Sequence, residues 1–269
     1  MRRLLLCLPL GLIFISDSSS REPVSAPTFQ RVADNGAPLP SEREMERLAG
    51  SDPIAFLEAC IHRYEREVKG FTATLRKQER IDGTLERSEL IDVAFREDPF
   101  SVLMKWKEGA RRAQATVYVK GENNEKLLVR PAGLFAVAGV VKRDPNGPDA
   151  KKGGRYPLTE FGIKIGMERT LTSWKKAQKD DALHIEYLGV KRIKEAGDRP
   201  CWVLRRTGYR KPEEDGIAQL TIYVDRETWL QVGSILKGSE GQLIGEYFFS
   251  DIQFNPRFPP DTFTPEALK

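Results

Sequence analysis

Residues 71–106 read Phe71-Thr-Ala-Thr-Leu75-Arg-Lys-Gln-Glu-Arg-Ile81, then Asp82-Gly83, then Thr84-Leu-Glu-Arg-Ser-Glu-Leu90-Ile-Asp-Val-Ala-Phe95-Arg-Glu-Asp98-Pro99-Phe100-Ser-Val-Leu-Met-Lys-Trp106. Asp-Gly adopts positive φ at little cost and suits the two-residue turn of a hairpin. On the return strand Ile91, Val93 and Phe95 alternate with Leu90, Asp92, Ala94 and Arg96, until Asp98-Pro99 breaks the run. Phe100, Val102, Met104 and Trp106 then fall on every second residue, opposite Ser101, Leu103, Lys105 and Lys107. Period two puts the four on one side of a sheet. The stretch therefore predicts three consecutive strands whose shared face is the concave, greasy wall of an open barrel, suited to an apolar ligand.

The chain around this stretch has 269 residues, 40% apolar and 30% charged, enough for one large domain and not the composition of a disordered chain. The formal charge is +4. Basic and acidic residues are mixed along the sequence, which argues for a solvated exterior and against a nucleic-acid surface. Met1-Arg2-Arg3, the apolar run Leu4 to Ile15 and the small tail Ser16 to Ser20 have the form of a cleaved export signal over residues 1–20. Twelve apolar residues are too few to cross about 30 Å of hydrocarbon as a helix. Loss of that segment leaves 41 basic against 38 acidic residues. Cys7 sits inside the apolar run without a lipobox and is read as an ordinary signal residue. Cys60 and Cys201 remain, in a compartment that permits disulfides; two buried thiols and one bond are both open.

Residues 21–40 hold Pro23, Pro27, Pro38 and Pro40 without apolar periodicity, and Ser41 to Leu48 suits a short charged helix, so residues 21–50 form a linker with that helix at its end. Ser51-Asp52-Pro53 is a helix start. Beyond it Ile54, Leu57, Ile61, Tyr64 and Val68 follow steps of three and four, so one stripe faces the sheet, until Gly70 ends the helix. His62 lies off the stripe and is read as a surface imidazole. Gln114–Val119 and Lys126–Arg130 read as further strands, and the basic stretch Ala138 to Arg155 as a mobile loop. Lys151-Lys152-Gly153-Gly154 lacks the spacing of a phosphate cradle. A second helix follows, capped by Thr159, with Ile163, Met167, Leu171 and Trp174 on one face. From Ala182 onward the chain is a run of hairpins: His184–Ile193, Cys201–Tyr209, Ile217–Val224, Trp229–Leu236 and Gln242–Phe254. Short spacers make sequence neighbours antiparallel neighbours in space. The sum is an α+β domain over residues 51–266, a single large curved antiparallel sheet of about ten strands, with helices covering the concave face of the open half-barrel.

This order of parts, with its Phe-Thr-Ala-Thr strand, Gly turn, Arg-x-x-Pro-Phe segment, lid-like middle and closing meander, resembles the LolA/LolB-like lipoprotein-carrier superfamily over about residues 50–265. Phe71 to Gly83, Arg155 to Gly162 and Phe248 to Phe263 resemble, more closely, an uncharacterised bacterial family of exported domains of unknown function. The resemblance implies a half-barrel with a helical lid that binds acyl chains or lipoproteins, or senses the envelope. It also implies a lid contact for Arg96, which matches the carriers' arginine before proline although Glu97 and Asp98 intervene.

The expected function is thus non-catalytic binding of a lipid or lipoprotein by a periplasmic or otherwise exported monomer. Phe100, Val102, Met104, Trp106, Met167 and Trp174 are the candidate ligand contacts, with no cofactor and no metal. The alternatives are an envelope sensor or scaffold that binds a protein partner and fills its own cavity, and a hydrolase. For the last, His62 and His184 are the chain's histidines. No nucleophile elbow or metal motif accompanies them, although a two-carboxylate cleft leaves no trace in sequence spacing.

Overall fold

A computed structural model describes residues 38–209 and 216–269. The expected export signal and residues 21–37 of the expected linker lie outside the described residues. Helix α1 (Glu42–Ser51) starts where the Ser41 hydroxyl accepts the Glu44 N–H at 3.2 Å, and α2 (Pro53–Glu67) where the Asp52 carboxylate accepts the Ala55 N–H at 3.0 Å. Both caps satisfy N–H groups that have no partner inside the helix.

Seven strands follow: β1 (Gly70–Ile81), β2 (Thr84–Leu85), β3 (Glu89–Arg96), β4 (Ser101–Glu108), β5 (Ala113–Val119), β6 (Leu127–Pro131) and β7 (Val141–Arg143). After the short α3 (Pro148–Lys151) and the long α4 (Ile163–Lys179) come β8 (His184–Ile193), β9 (Arg199–Thr207), β10 (Gln219–Asp225), β11 (Gln231–Lys237) and β12 (Leu243–Phe254). These form one antiparallel sheet in the order β7-β6-β5-β4-β3-β1-β12-β11-β10-β9-β8, with β2 paired to β1 alone. The pairing of β1 with β12, Leu75 opposite Phe249, joins the early meander to the late one. The outer strands β7 and β8 stand at opposite edges, so the half-barrel stays open.

Twelve strands replace the ten expected among the described residues, the additions being β2 and β7. Two and three residues are too short to show alternation, which is why the hairpin partner of Ile81 and the edge strand inside 138–155 carry no periodic signal. The cap of α4 also differs. Thr159 lies in a 3₁₀ turn, and the N-cap of α4 is Gly162, which has φ 140°. A Cβ there would come within 3.3 Å of the Phe95 ring, so glycine suits both the backbone and the close approach.

The face alternation of residues 71–106 holds. Ile91, Val93 and Phe95 of β3 pair with Trp106, Met104 and Val102 of β4, and the six share the concave side. Helices α2 and α4 pack there, burying Phe56, Leu57, Tyr64, Met167 and Trp174 against Phe71, Trp202, Leu204 and Ile222. Phe56 meets Trp202 edge-on with ring centroids 5.5 Å apart. A second, smaller core on the opposite side was not foreseen. Ala94, Leu103, Val117 and Leu128 are covered by Phe263 and Leu268 of the C-terminal segment. Cys60 and Cys201 are free and buried, and burial pushes the Cys201 thiol up to about 12. No helix among the described residues is long and apolar enough to cross a membrane.

Candidate functional site

The helices fill one part of the concave face and leave the rest hollow. A cavity of about 1400 Å³ lies between the sheet, the N-terminal half of α4 and the connecting segment 145–162. Leu75, Met104, Leu127, Val129, Leu236 and Phe249 supply much of its apolar wall. These positions come from β1 and from four other strands, β4, β6, β11 and β12, of the two meanders, so the cavity exists only because β1 and β12 pair.

Set into this wall is a cluster of charges. Lys77 Nζ lies 2.9 Å from Glu79 Oε2 and 3.0 Å from Glu89 Oε2, with the lysine 12% exposed and the carboxylates about 5%. Arg111 reaches Glu89 at 3.4 Å and Glu86 at 3.3 Å. Tyr247 donates its hydroxyl to Glu79 Oε1 at 2.6 Å, and the Trp106 indole N–H donates to Glu89 Oε1 at 3.1 Å. Burial alone would push the Glu79 carboxyl up; the Lys77 ammonium and the Tyr247 hydroxyl outweigh it, and the group is held below its usual range. Lys77 is pulled down by burial and raised further by its two carboxylates, so the ammonium form is kept. Burial and the neighbouring Glu79 push Tyr247 well above the phenol range.

The same cluster ties the covering segment to the sheet. Arg111 donates to the Gly153 carbonyl at 3.2 Å, and the Arg155 N–H approaches Glu79 Oε1 at 3.4 Å. Further along, Arg169 of α4 pairs with Glu160 at 3.0 Å and lies over the Tyr156 ring at 3.9 Å. Phe161 packs against both Phe95 and Phe249, with centroids 6.0 and 6.1 Å away. The cover is therefore pinned by polar contacts at one end and by aromatic contacts at the other.

The residues singled out from sequence are divided by this geometry. Met104 and Trp106 line the cavity. Val102, Met167 and Trp174 are fully buried in the core beneath the helices, and Phe100 packs beside it on Phe95 and Tyr118; none of these four is among the lining residues. Arg96 donates to the Ser101 hydroxyl at 2.9 Å and lies 4.8 Å from the Phe263 ring centroid, contacts made with β4 and with the C-terminal segment. Sequence reasoning missed the charged cluster altogether. Its one visible trace is Lys77 and Glu79 on the same strand face as Leu75, an inward-pointing charge pair in a strand otherwise read for its apolar residues.

Residues 68–268 match a family described as protein of unknown function, DUF1571, well over half of the chain. The chain belongs to that family. No protein of curated function matches it. Among solved structures it is similar to MucB in the MucA/MucB complex of Pseudomonas aeruginosa, at 18% identity and a TM-score of 0.46, covering 79% of this chain and 60% of that one. It thus spans about three fifths of the MucB chain. It is also similar to the Mycobacterium tuberculosis lipoprotein LppX, at 13% identity and a TM-score of 0.42, over 77% of this chain and 99% of that one. A LolA superfamily protein of Nitrosomonas europaea matches at 12% identity and a TM-score of 0.36, over 79% and 99%.

Proposed function

We propose that this DUF1571 chain is a non-catalytic binding domain of the cell envelope that holds the acyl chain of a lipid or a lipoprotein in the cavity of the half-barrel. The observation that carries the reading is the cavity of about 1400 Å³ behind a pinned cover, larger than the roughly 300–1,000 Å³ usual for small-molecule pockets. A ten-carbon tail transferred into such a space gains roughly 8 kcal/mol gross, at about 0.8 kcal/mol per methylene, before ordering costs. Seven Lys and Arg and four Glu lie along the lining, a surplus of positive charge that favours a ligand with an anionic head. Export to the periplasm, expected from residues 1–20, is part of the same proposal.

In this reading Met104 and Trp106 touch the ligand. Phe100, Val102, Met167 and Trp174 hold the frame from beneath, and Arg96 braces the outer face. The carboxylates of the cavity support binding over hydrolysis. Glu79 and Glu89 share one lysine, and Glu79 is held ionised, whereas a general acid needs a carboxyl that keeps its proton near neutral pH. The test is retention of a fluorescent fatty acid through gel filtration by the wild-type protein and by Val129→Trp, which places an indole in the hollow. Retention by the first and loss by the second is expected; equal retention would remove the ligand from this cavity. Native mass spectrometry of protein from its own host should show added lipid mass, and a clean apo mass would favour the envelope-partner reading.

A further inference from the structure

The β6–β7 hairpin ends in a 3₁₀ turn over Gly133–Ala138. In it Leu134 is 92%, Phe135 76% and Val137 94% exposed, and Val140 just beyond is 42% exposed. Elsewhere among the described residues the most open large apolar side chain is Leu85, at 37%. Isolated exposed apolar residues are ordinary in soluble domains; three neighbours almost free of contact at one hairpin tip are not.

The charge around this tip is equally uneven. From Lys126 to Arg155 the sequence holds seven Lys and Arg against Asp144 and Asp149, a net of +5. The whole chain carries only +4, so the remainder is slightly acidic. Lys126 is paired with Asp144 at 3.1 Å, while Lys142 and Lys152 are exposed.

We infer that the β6–β7 tip is a membrane-docking element, inserting Leu134, Phe135 and Val137 into the interfacial layer of an anionic bilayer while the surrounding basic stretch meets the head groups. Apolar side chains set beside cations are what an interfacial anchor requires. A bilayer also fits the size of the tip better than a second copy or another folded protein does. A stable protein interface buries about 800 Å² per partner, which a six-residue turn does not offer, whereas insertion into lipid needs no complementary surface. Phe135 and Ala138 line the cavity as well. Docking at the tip therefore brings the cavity wall to the lipid surface. That last consequence rests on the ligand proposed above; the docking itself does not.

The experiment is co-sedimentation of the purified protein with vesicles of phosphatidylglycerol and phosphatidylethanolamine, set against vesicles of phosphatidylcholine alone. Wild type should sediment with the anionic vesicles and release as salt is raised. Leu134→Ser/Val137→Ser, which changes neither the core nor the cavity lining, should weaken sedimentation roughly tenfold or more. Lys142→Gln and Lys152→Gln should each weaken it by roughly fivefold. A Leu134→Trp protein should show a blue-shifted emission when anionic vesicles are added. Wild type left in the supernatant, equal sedimentation with both vesicle types, or a double-serine variant that sediments like wild type would each overturn the inference. Fatty-acid retention without vesicles should be unchanged in the double-serine variant, so failure of docking and failure of the cavity reading are separate results.

Discussion

Strand β4 crosses two environments on a single face. Val102, near its start, is fully buried beneath the helices; Met104, two residues on, lies at the boundary; Trp106 borders the cavity and hydrogen-bonds to the charged cluster. All three point to the concave side, as their spacing requires. The difference lies above them. Over Val102 the apolar stripes of α2 and α4 fill the barrel, while the cavity that Trp106 borders is covered by the connecting segment 145–162, a run of turns and short helices that spans the space without filling it. A face can thus be read from alternation, but its occupant depends on what packs on it.

The largest effect that would test this contrast is expected on the filled side. Trp174→Ala should cost up to about 5 kcal/mol, since the surrounding helix and sheet cannot collapse into the space of an indole. Urea unfolding would measure it, and a cost under 1 kcal/mol would mean that the core beneath α4 is as loose as the cavity. Next comes Lys77→Met, which leaves Glu79 and Glu89 facing each other without their shared cation. Roughly 3 kcal/mol should be lost at neutral pH, at the lower end for a broken buried ion pair because the lysine is partly accessible.

The pH dependence of the same cluster sharpens the comparison. Glu79 has a folded value below its usual 4.5, so its stabilisation is full above 4.5 and disappears as the pH falls through the folded value. Lys77 has a folded value above 10.5, so its contribution is full below 10.5 and disappears as the pH rises through the folded value. Urea midpoints followed from neutral pH downward should fall in wild type and be flatter in Glu79→Gln. Parallel curves would mean that the charges in the cavity wall do not stabilise the fold.

The open side should tolerate what the filled side does not. Val129→Trp should change stability by less than about 1 kcal/mol, because the new ring enters existing space without displacing packed atoms, while it abolishes fatty-acid retention. A loss as large as that of Trp174→Ala would show that the hollow is closed in solution. The smallest effect belongs to the hairpin tip: Leu134→Ser/Val137→Ser should leave the unfolding midpoint within about 0.5 kcal/mol of wild type, as exposed positions do.

Much of the fold was legible in the sequence. The strands of residues 71–106, the stripe of α2 from Ile54 to Val68 and the late meander all carry a period that exists before any tertiary contact forms. The site was legible only in part. Trp106 and Met104, picked out by alternation, line the cavity, but Val102 and Phe100 alternate with them and lie elsewhere. Met167 and Trp174 have the helical spacing of a lining face and are core. The cluster of Lys77, Glu79, Glu89 and Arg111 joins β1, β3 and the β4–β5 connection, and its members meet through strand register, which no periodic pattern in the sequence records. Leu134, Phe135 and Val137 were overlooked because a short apolar run at a turn has no period to mark it.

By itself the sequence determined which residues form strands and helices and which face of each is apolar, because those properties repeat within a few residues of chain. The tertiary structure decided where the helices stop filling the barrel, which charges meet inside it, and which apolar residues find no cover. Each of these depends on contacts between segments as far apart as β1 and β12, whose pairing depends on the fold of everything between them.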